Sequence, residues 1–144
     1  MQTFSKAFGL AAVRVGMAFA NPDIIKYFNK MKPPYNISTI NQRAALMKLR
    51  NSDDCKRKID LIKNEKQRLI PVLEKMEITE KIYPSDANFL LVKVKNATEI
   101  YNKLINKCII VRNRSSVIDN CLRITVGKRS ENNKLIAALN SIAI

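Results

Sequence analysis

Histidine and tryptophan are absent from this 144-residue sequence, and glycine and cysteine occur only three times each. Without histidine there can be no histidine-based triad, no imidazole metal ligand and no imidazole acid–base catalysis. Any proton transfer falls to lysine, tyrosine, cysteine or a carboxylate. With no tryptophan and only 6% aromatic residues, the core must be aliphatic. Cys55, Cys108 and Cys121 are widely spaced and form no Cys-x-x-Cys pair. Neither a metal site nor a disulfide framework is expected, and a reducing, cytoplasmic compartment is. No apolar run approaches the length that spans a bilayer, so a soluble chain with no membrane partner is expected.

Acidic residues are scarce too: 12 against 26 basic ones, a net charge of +14. Such a balance raises the alternative of a basic nucleic-acid-binding module. That function needs clustered charge and base-stacking aromatics on exposed strands. The basic residues here are scattered, and Phe89 and Tyr101 form no such platform, so no nucleic-acid partner is expected.

Along the chain, Asn21-Pro22-Asp23 signals a helix start, with a short helix expected over Ile24–Met31. The paired prolines Pro33 and Pro34 impose an extended turn before a helix from Thr39 to about Leu49. A longer helix is predicted over Asp53–Met76, with Pro71 expected to kink it or to start a new segment. Its polar face mixes both signs of charge, as a solvated face does. The last third predicts a strand at Ala87–Val94, a helix at Ala97–Lys107, strands at Ile109–Arg112 and Leu122–Val126, and a helix at Ser130–Ile142. That order describes a small α+β sandwich of helices on one sheet. Internal repeats and low-complexity segments are lacking.

Lys6 followed by the apolar stretch Ala7–Met17 and Ala18-Phe19-Ala20 mimics a signal peptide. Arg14 in the middle of that stretch argues against a targeting role. In a chain so poor in glycine, Gly9, Gly16 and Gly127 mark places where backbone geometry is restricted. Each lies near a basic residue embedded in an apolar stretch, a coincidence that points to anion binding.

The segment Thr3-Phe4-Ser5-Lys6-Ala7-Phe8-Gly9-Leu10-Ala11-Ala12-Val13-Arg14-Val15-Gly16 resembles the cofactor-lysine motif of the class I/II pyridoxal-phosphate aminotransferases. Ser5-Lys6-Ala7-Phe8-Gly9-Leu10-Ala11 is close to the wording of the family's histidinol-phosphate branch. Pro84–Val92 looks like the family's small-domain strand, and Ile109–Ser115 with Cys121–Gly127 matches two further segments. The resemblance implies that Lys6 is the catalytic lysine, bonded to pyridoxal 5'-phosphate, with Thr3 and Arg14 on the cofactor phosphate and Ser5 assisting. It implies that Arg123 grips the substrate carboxylate, in bidentate geometry that lysine cannot reproduce. Arg112 would hold the substrate's phosphate, and Tyr35 would line the substrate pocket. No metal is implied.

The implied activity moves an amino group between L-glutamate (with 2-oxoglutarate as its keto partner) and imidazole-acetol phosphate, yielding L-histidinol phosphate in histidine biosynthesis. The near alternative is a sibling aminotransferase for aromatic or other phosphorylated substrates. The implied fold is α/β, the C-terminal part of the fold-type I pyridoxal-phosphate-dependent transferases. Residues 1–50 would close the large domain, 51–76 form a connecting helix, and 77–144 make the small α+β domain. Two departures stand out: Cys108 where the family usually has glycine, and a slightly short Ser116–Asn120 connection. The resemblance, running from residue 1 to about residue 140, further implies that the family's front half is missing. The stretch alone is therefore expected to bind cofactor poorly and to lack activity, and a homodimer is expected only of the intact protein.

Overall fold

Apolar side chains alternate with polar ones along the strands of the last third, and that alternation organises the larger part of the molecule. The computed structural model describes residues 1–142 and has a mixed α/β composition. Positions 143 and 144 of the expected small domain lie outside the described residues. The chain divides into two units, Met1–Ile59 and Asp60–Ile144.

In the first unit, β1 (Gln2–Thr3) pairs antiparallel with β2 (Gly16–Met17), Thr3 opposite Gly16. The intervening loop contains one 3-10 turn, Ala11–Val13. Helix α1 (Pro22–Met31) starts where Asn21 accepts a hydrogen bond from Asp23 N at 2.9 Å, with proline at its first position. Helix α2 (Thr39–Arg50) starts where Ser38 Oγ accepts one from Asn41 N at 3.2 Å. Helix α3 (Ser52–Glu74) crosses the division between the units.

The second unit continues along α3 and adds β3 (Thr79–Tyr83), β4 (Phe89–Val94), α4 (Ala97–Asn106), β5 (Arg112–Asn113), β6 (Cys121–Thr125) and α5 (Arg129–Ile142). The four strands form an antiparallel sheet in the order β3-β4-β6-β5. Leu90, Val92 and Val94 of β4 and Leu122 and Ile124 of β6 point to one face. There they pack with Leu69 and Leu73 of α3, Ile100 and Leu104 of α4, and Leu135 and Leu139 of α5. No helix among the described residues is long and apolar enough to cross a membrane.

Two sequence expectations are corrected and one strand is new. Pro71 does not start a new segment, since α3 continues through it. A proline inside a helix costs about 3 kcal/mol. Leu69 and Leu73 flank it and are buried, at roughly 2 kcal/mol each, which is enough to hold the helix together. Pro71 itself and Gln67, whose carbonyl loses a partner, are exposed to water. Strand β3 was not anticipated. Of its residues, Ile82 packs against the core, and a register irregularity between Thr79 and Lys81 interrupts the alternation that would have revealed it. Strand β5 begins at Arg112 rather than Ile109, because the backbone before it is already engaged.

That engagement is the C-terminal cap of α4. Cys108 N donates to Ile105 O at 2.8 Å and Ile109 N to Leu104 O at 2.9 Å, while Cys108 adopts φ +57°. This is a Schellman ending, whose left-handed position normally belongs to glycine. The departure at Cys108 noted in the sequence therefore places a side chain where a Cβ is strained. Cys108→Gly is expected to raise stability by about 1 kcal/mol, read as a higher denaturation midpoint with an unchanged slope. A lower midpoint would contradict this account.

Candidate functional site

The β1–β2 pairing closes a hairpin that carries four of the expected residues, Thr3 at the end of β1 and Ser5, Lys6 and Arg14 on the loop. Thr3 Oγ1 donates to Ser5 Oγ at 2.8 Å and accepts from Ser5 N at 3.1 Å, a local hydroxyl-based turn. Phe4 between them is buried and packs on Phe8, ring centroids 4.9 Å apart. Burying Phe4 directs its neighbours outward, as strand alternation requires. Lys6 follows at the exposed tip, and its amine has neither an ion pair nor a hydrogen bond among the described residues. The turn closes through Gly9 N donating to Lys6 O at 2.9 Å, with Gly9 in the left-handed region at φ +67°.

Arg14 also adopts a left-handed conformation, φ +55°, and is exposed. Its Nη1 donates to Ala11 O at 3.0 Å, which occupies one guanidinium donor and leaves the others available. Phe4 N donates to Val15 O at 3.2 Å, so the chain at Arg14 returns alongside Ser5. Tyr35 stands apart in the turn between α1 and α2, at φ +58° and 99% exposed. It makes no hydrogen bond to the hairpin among the described residues.

The second unit holds the two remaining arginines. Arg112 on β5 and Arg123 on β6 are directly opposed in the antiparallel ladder, so both project from the sheet face turned away from the helices. Like charges in such a pair repel. Arg123 is half-buried and its Nε is buried without a hydrogen-bond partner among the described residues. Its guanidinium carbon lies 5.1 Å from the centroid of the Phe89 ring. That contact places the guanidinium over the Phe89 ring and was not foreseen in the sequence. The signal was available: Phe89 and Leu91 share one strand face, and Leu91 is paired with Arg123. A cavity of about 400 Å³ lined by Ile109, Val111, Thr125, Gly127 and Leu135 does not include either arginine.

Behind this face lies a buried polar network. Asn132, only 2% exposed, donates from Nδ2 to Gly127 O and accepts at Oδ1 from Gly127 N, both at 3.0 Å. Nδ2 also donates to Glu65 Oε2 at 3.0 Å. Arg68 grips Glu65 with Nη2 at 2.8 Å and Nε at 3.2 Å, and reaches Asn133 Oδ1 at 2.9 Å. Hydrogen bonds from Arg68 first and Asn132 second hold the Glu65 carboxyl below its ordinary range. A Cβ on Gly127 would lie 2.5 Å from Glu131 Oε2 and 3.2 Å from Glu131 Cβ, so a larger residue there would displace the Glu131 side chain.

Residues 1–139 match the family Aminotransferase class I and II. The chain is 46% identical over 143 residues to histidinol-phosphate aminotransferase of Flavobacterium psychrophilum, covering 98% of this chain and 41% of that protein. It is 49% identical over 140 residues to histidinol-phosphate aminotransferase of Bacteroides thetaiotaomicron, covering 96% and 40%. Its fold matches the crystal structure of histidinol-phosphate aminotransferase from Sinorhizobium meliloti in complex with pyridoxal-5'-phosphate. That match has a TM-score of 0.77 and 27% identity, over 98% of this chain and 39% of the other. The chain thus spans about 40% of the length of the curated relatives it matches.

Proposed function

Because the chain belongs to the class I and II aminotransferases, we propose that it carries the lysine and the anion-binding arginines of a pyridoxal-phosphate-dependent transaminase. The substrates would be L-glutamate and imidazole-acetol phosphate, with 2-oxoglutarate and L-histidinol phosphate as products. The observation that carries this reading is the hairpin: an amine at Lys6 without a partner among the described residues, with the Thr3–Ser5 hydroxyl pair and Arg14 on the same hairpin. That donor set fits a phosphorylated aldehyde, an amine for the carbonyl carbon and hydroxyls with a guanidinium for the phosphate oxygens. The relatives' names supply histidinol phosphate and the amino-transfer reaction.

Pyridoxal 5'-phosphate, when bound, supplies an electron sink for negative charge developing at the substrate's Cα. The rest of the chemistry assigned to this chain belongs to its own side chains. Lys6 Nζ would hold the aldehyde carbon covalently and, once displaced by the substrate amine, would take the proton from the substrate's Cα and deliver it to the former aldehyde carbon. Thr3, Ser5 and Arg14 hold the phosphate and so fix the register of the ring relative to Lys6. Arg123 binds a carboxylate in fork geometry, and Arg112 adds a second positive group for the phosphate-bearing substrate. Tyr35 is assigned to the substrate pocket. The intact protein is assigned a homodimeric, cytoplasmic state.

The test is an assay of the polypeptide carrying these residues together with the remainder that the relatives possess. With pyridoxal 5'-phosphate, L-glutamate and imidazole-acetol phosphate, 2-oxoglutarate should accumulate in step with L-histidinol phosphate. Turnover with an aromatic keto acid but none with the imidazole substrate would move the protein to a sibling activity. The 144-residue stretch by itself is assigned no turnover.

A further inference from the structure

Two neighbouring residues of α3 reach the same end of the sheet by separate routes. Lys66 Nζ donates to the backbone carbonyl of Ser85 and, at 3.0 Å, to that of Ala87. These belong to the turn that leads into β4. Ser85 Oγ tightens it by donating to Phe89 O at 2.6 Å and accepting from Ala87 N at 3.2 Å. Glu65 takes the other route, through the buried Asn132 to both backbone groups of Gly127, just past the end of β6. Val126 N donates to Asn88 O at 2.9 Å, and Phe89 pairs with Thr125, so the two held points are adjacent. One strand carries the Phe89 ring and the other the Arg123 guanidinium stacked on it.

We propose that Glu65 and Lys66 are positioning residues for Arg123: together they fix where β4 begins and where β6 ends, and thereby hold the guanidinium over the Phe89 ring in a single orientation. The proposal rests on the reading of Arg123 as the substrate-carboxylate ligand. Mere attachment of α3 needs no such arrangement, since Leu69 and Leu73 already bury that helix against the sheet. A half-buried ammonium aimed at two carbonyls is also a poor source of net stability, because its desolvation offsets much of what its hydrogen bonds contribute. What fixed hydrogen bonds do provide is direction, and the residue directed here must meet a carboxylate in one plane.

Steady-state kinetics of the complete polypeptide test the proposal with K66M, K66R, R123K and the K66M/R123K double variant, alongside thermal melts. K66M is expected to raise KM for L-glutamate about tenfold, with a smaller change in kcat. K66R should recover most of that loss. In the R123K background K66M should add less than about twofold, because a residue acting through Arg123 has nothing left to position. Should K66M yield no folded protein, E65A cuts the other route and the same non-additivity with R123K is expected. Effects of K66M and R123K that multiply, or a lowered melting temperature with KM unchanged, would overturn the proposal and leave a purely structural attachment. Unchanged KM in R123K itself would remove the reading of Arg123 and the proposal with it. That outcome is distinct from a silent K66M beside an impaired R123K.

Discussion

Lys6→Ala in the complete polypeptide is expected to lower transamination by about four orders of magnitude or more, since no other group can then bond the aldehyde or carry the Cα proton. These 144 residues contribute no histidine that could take over as a base. The Thr3–Ser5 hydroxyls and Arg14 are untouched by the substitution, so phosphate-anchored cofactor should still bind, without a covalent link. Borohydride reduction followed by peptide mapping distinguishes the states: a stable adduct on Lys6 in the parent, none in the variant. Adduct formation on a different lysine of the parent would refute the assignment, whatever the activity of the variant. Because Lys6 is exposed at a turn, the substitution should leave the fold intact, and circular dichroism can verify that.

Arg123→Lys is the second large effect. Lysine preserves the charge but supplies no planar fork and cannot stack on Phe89 in the same way. Loss of a charge-assisted bidentate contact is expected to cost about 2–3 kcal/mol, or roughly 30- to 150-fold in kcat/KM for L-glutamate. The loss should fall mainly on KM and should extend to both half-reactions if one arginine pair serves both substrates. Arg112→Lys should be milder for glutamate and more damaging for the phosphorylated substrate. Equal losses for the two substrates in both variants would dissolve that division of labour.

Much of this was legible in the sequence where local chemistry and tertiary packing agree. The start of α1 followed from Asn21-Pro22-Asp23, because capping side chains act within a few residues, and α2 from the helix-favouring composition after Thr39. Strands β4 and β6 followed from alternation, since both lie in the middle of the sheet with one face buried. Strand β3 escaped because an edge strand with an irregular register leaves none of its side chains fully buried. Strand β5 was placed too early because Ile109-Ile110-Val111 reads as apolar strand while Ile109's backbone closes a helix instead. Of the candidate site, Lys6, Arg112 and Arg123 could be named from motifs. The support behind them could not. Glu65, Lys66 and Asn132 look in sequence like members of solvated helix faces, and only the folded arrangement brings residues 65, 88 and 127 to one end of the sheet.

The rung shared by Arg112 and Arg123 bears on how such a protein can diverge. Neighbouring strands are kept about 5 Å apart by their backbone ladder, so the distance between the two cationic positions is a property of the sheet. The connection that joins the two strands can then shorten or lengthen without changing that distance. Substitutions in loops and on outer helix faces, where much of this lysine- and asparagine-rich composition lies, likewise leave the spacing of positions 112 and 123 to the ladder.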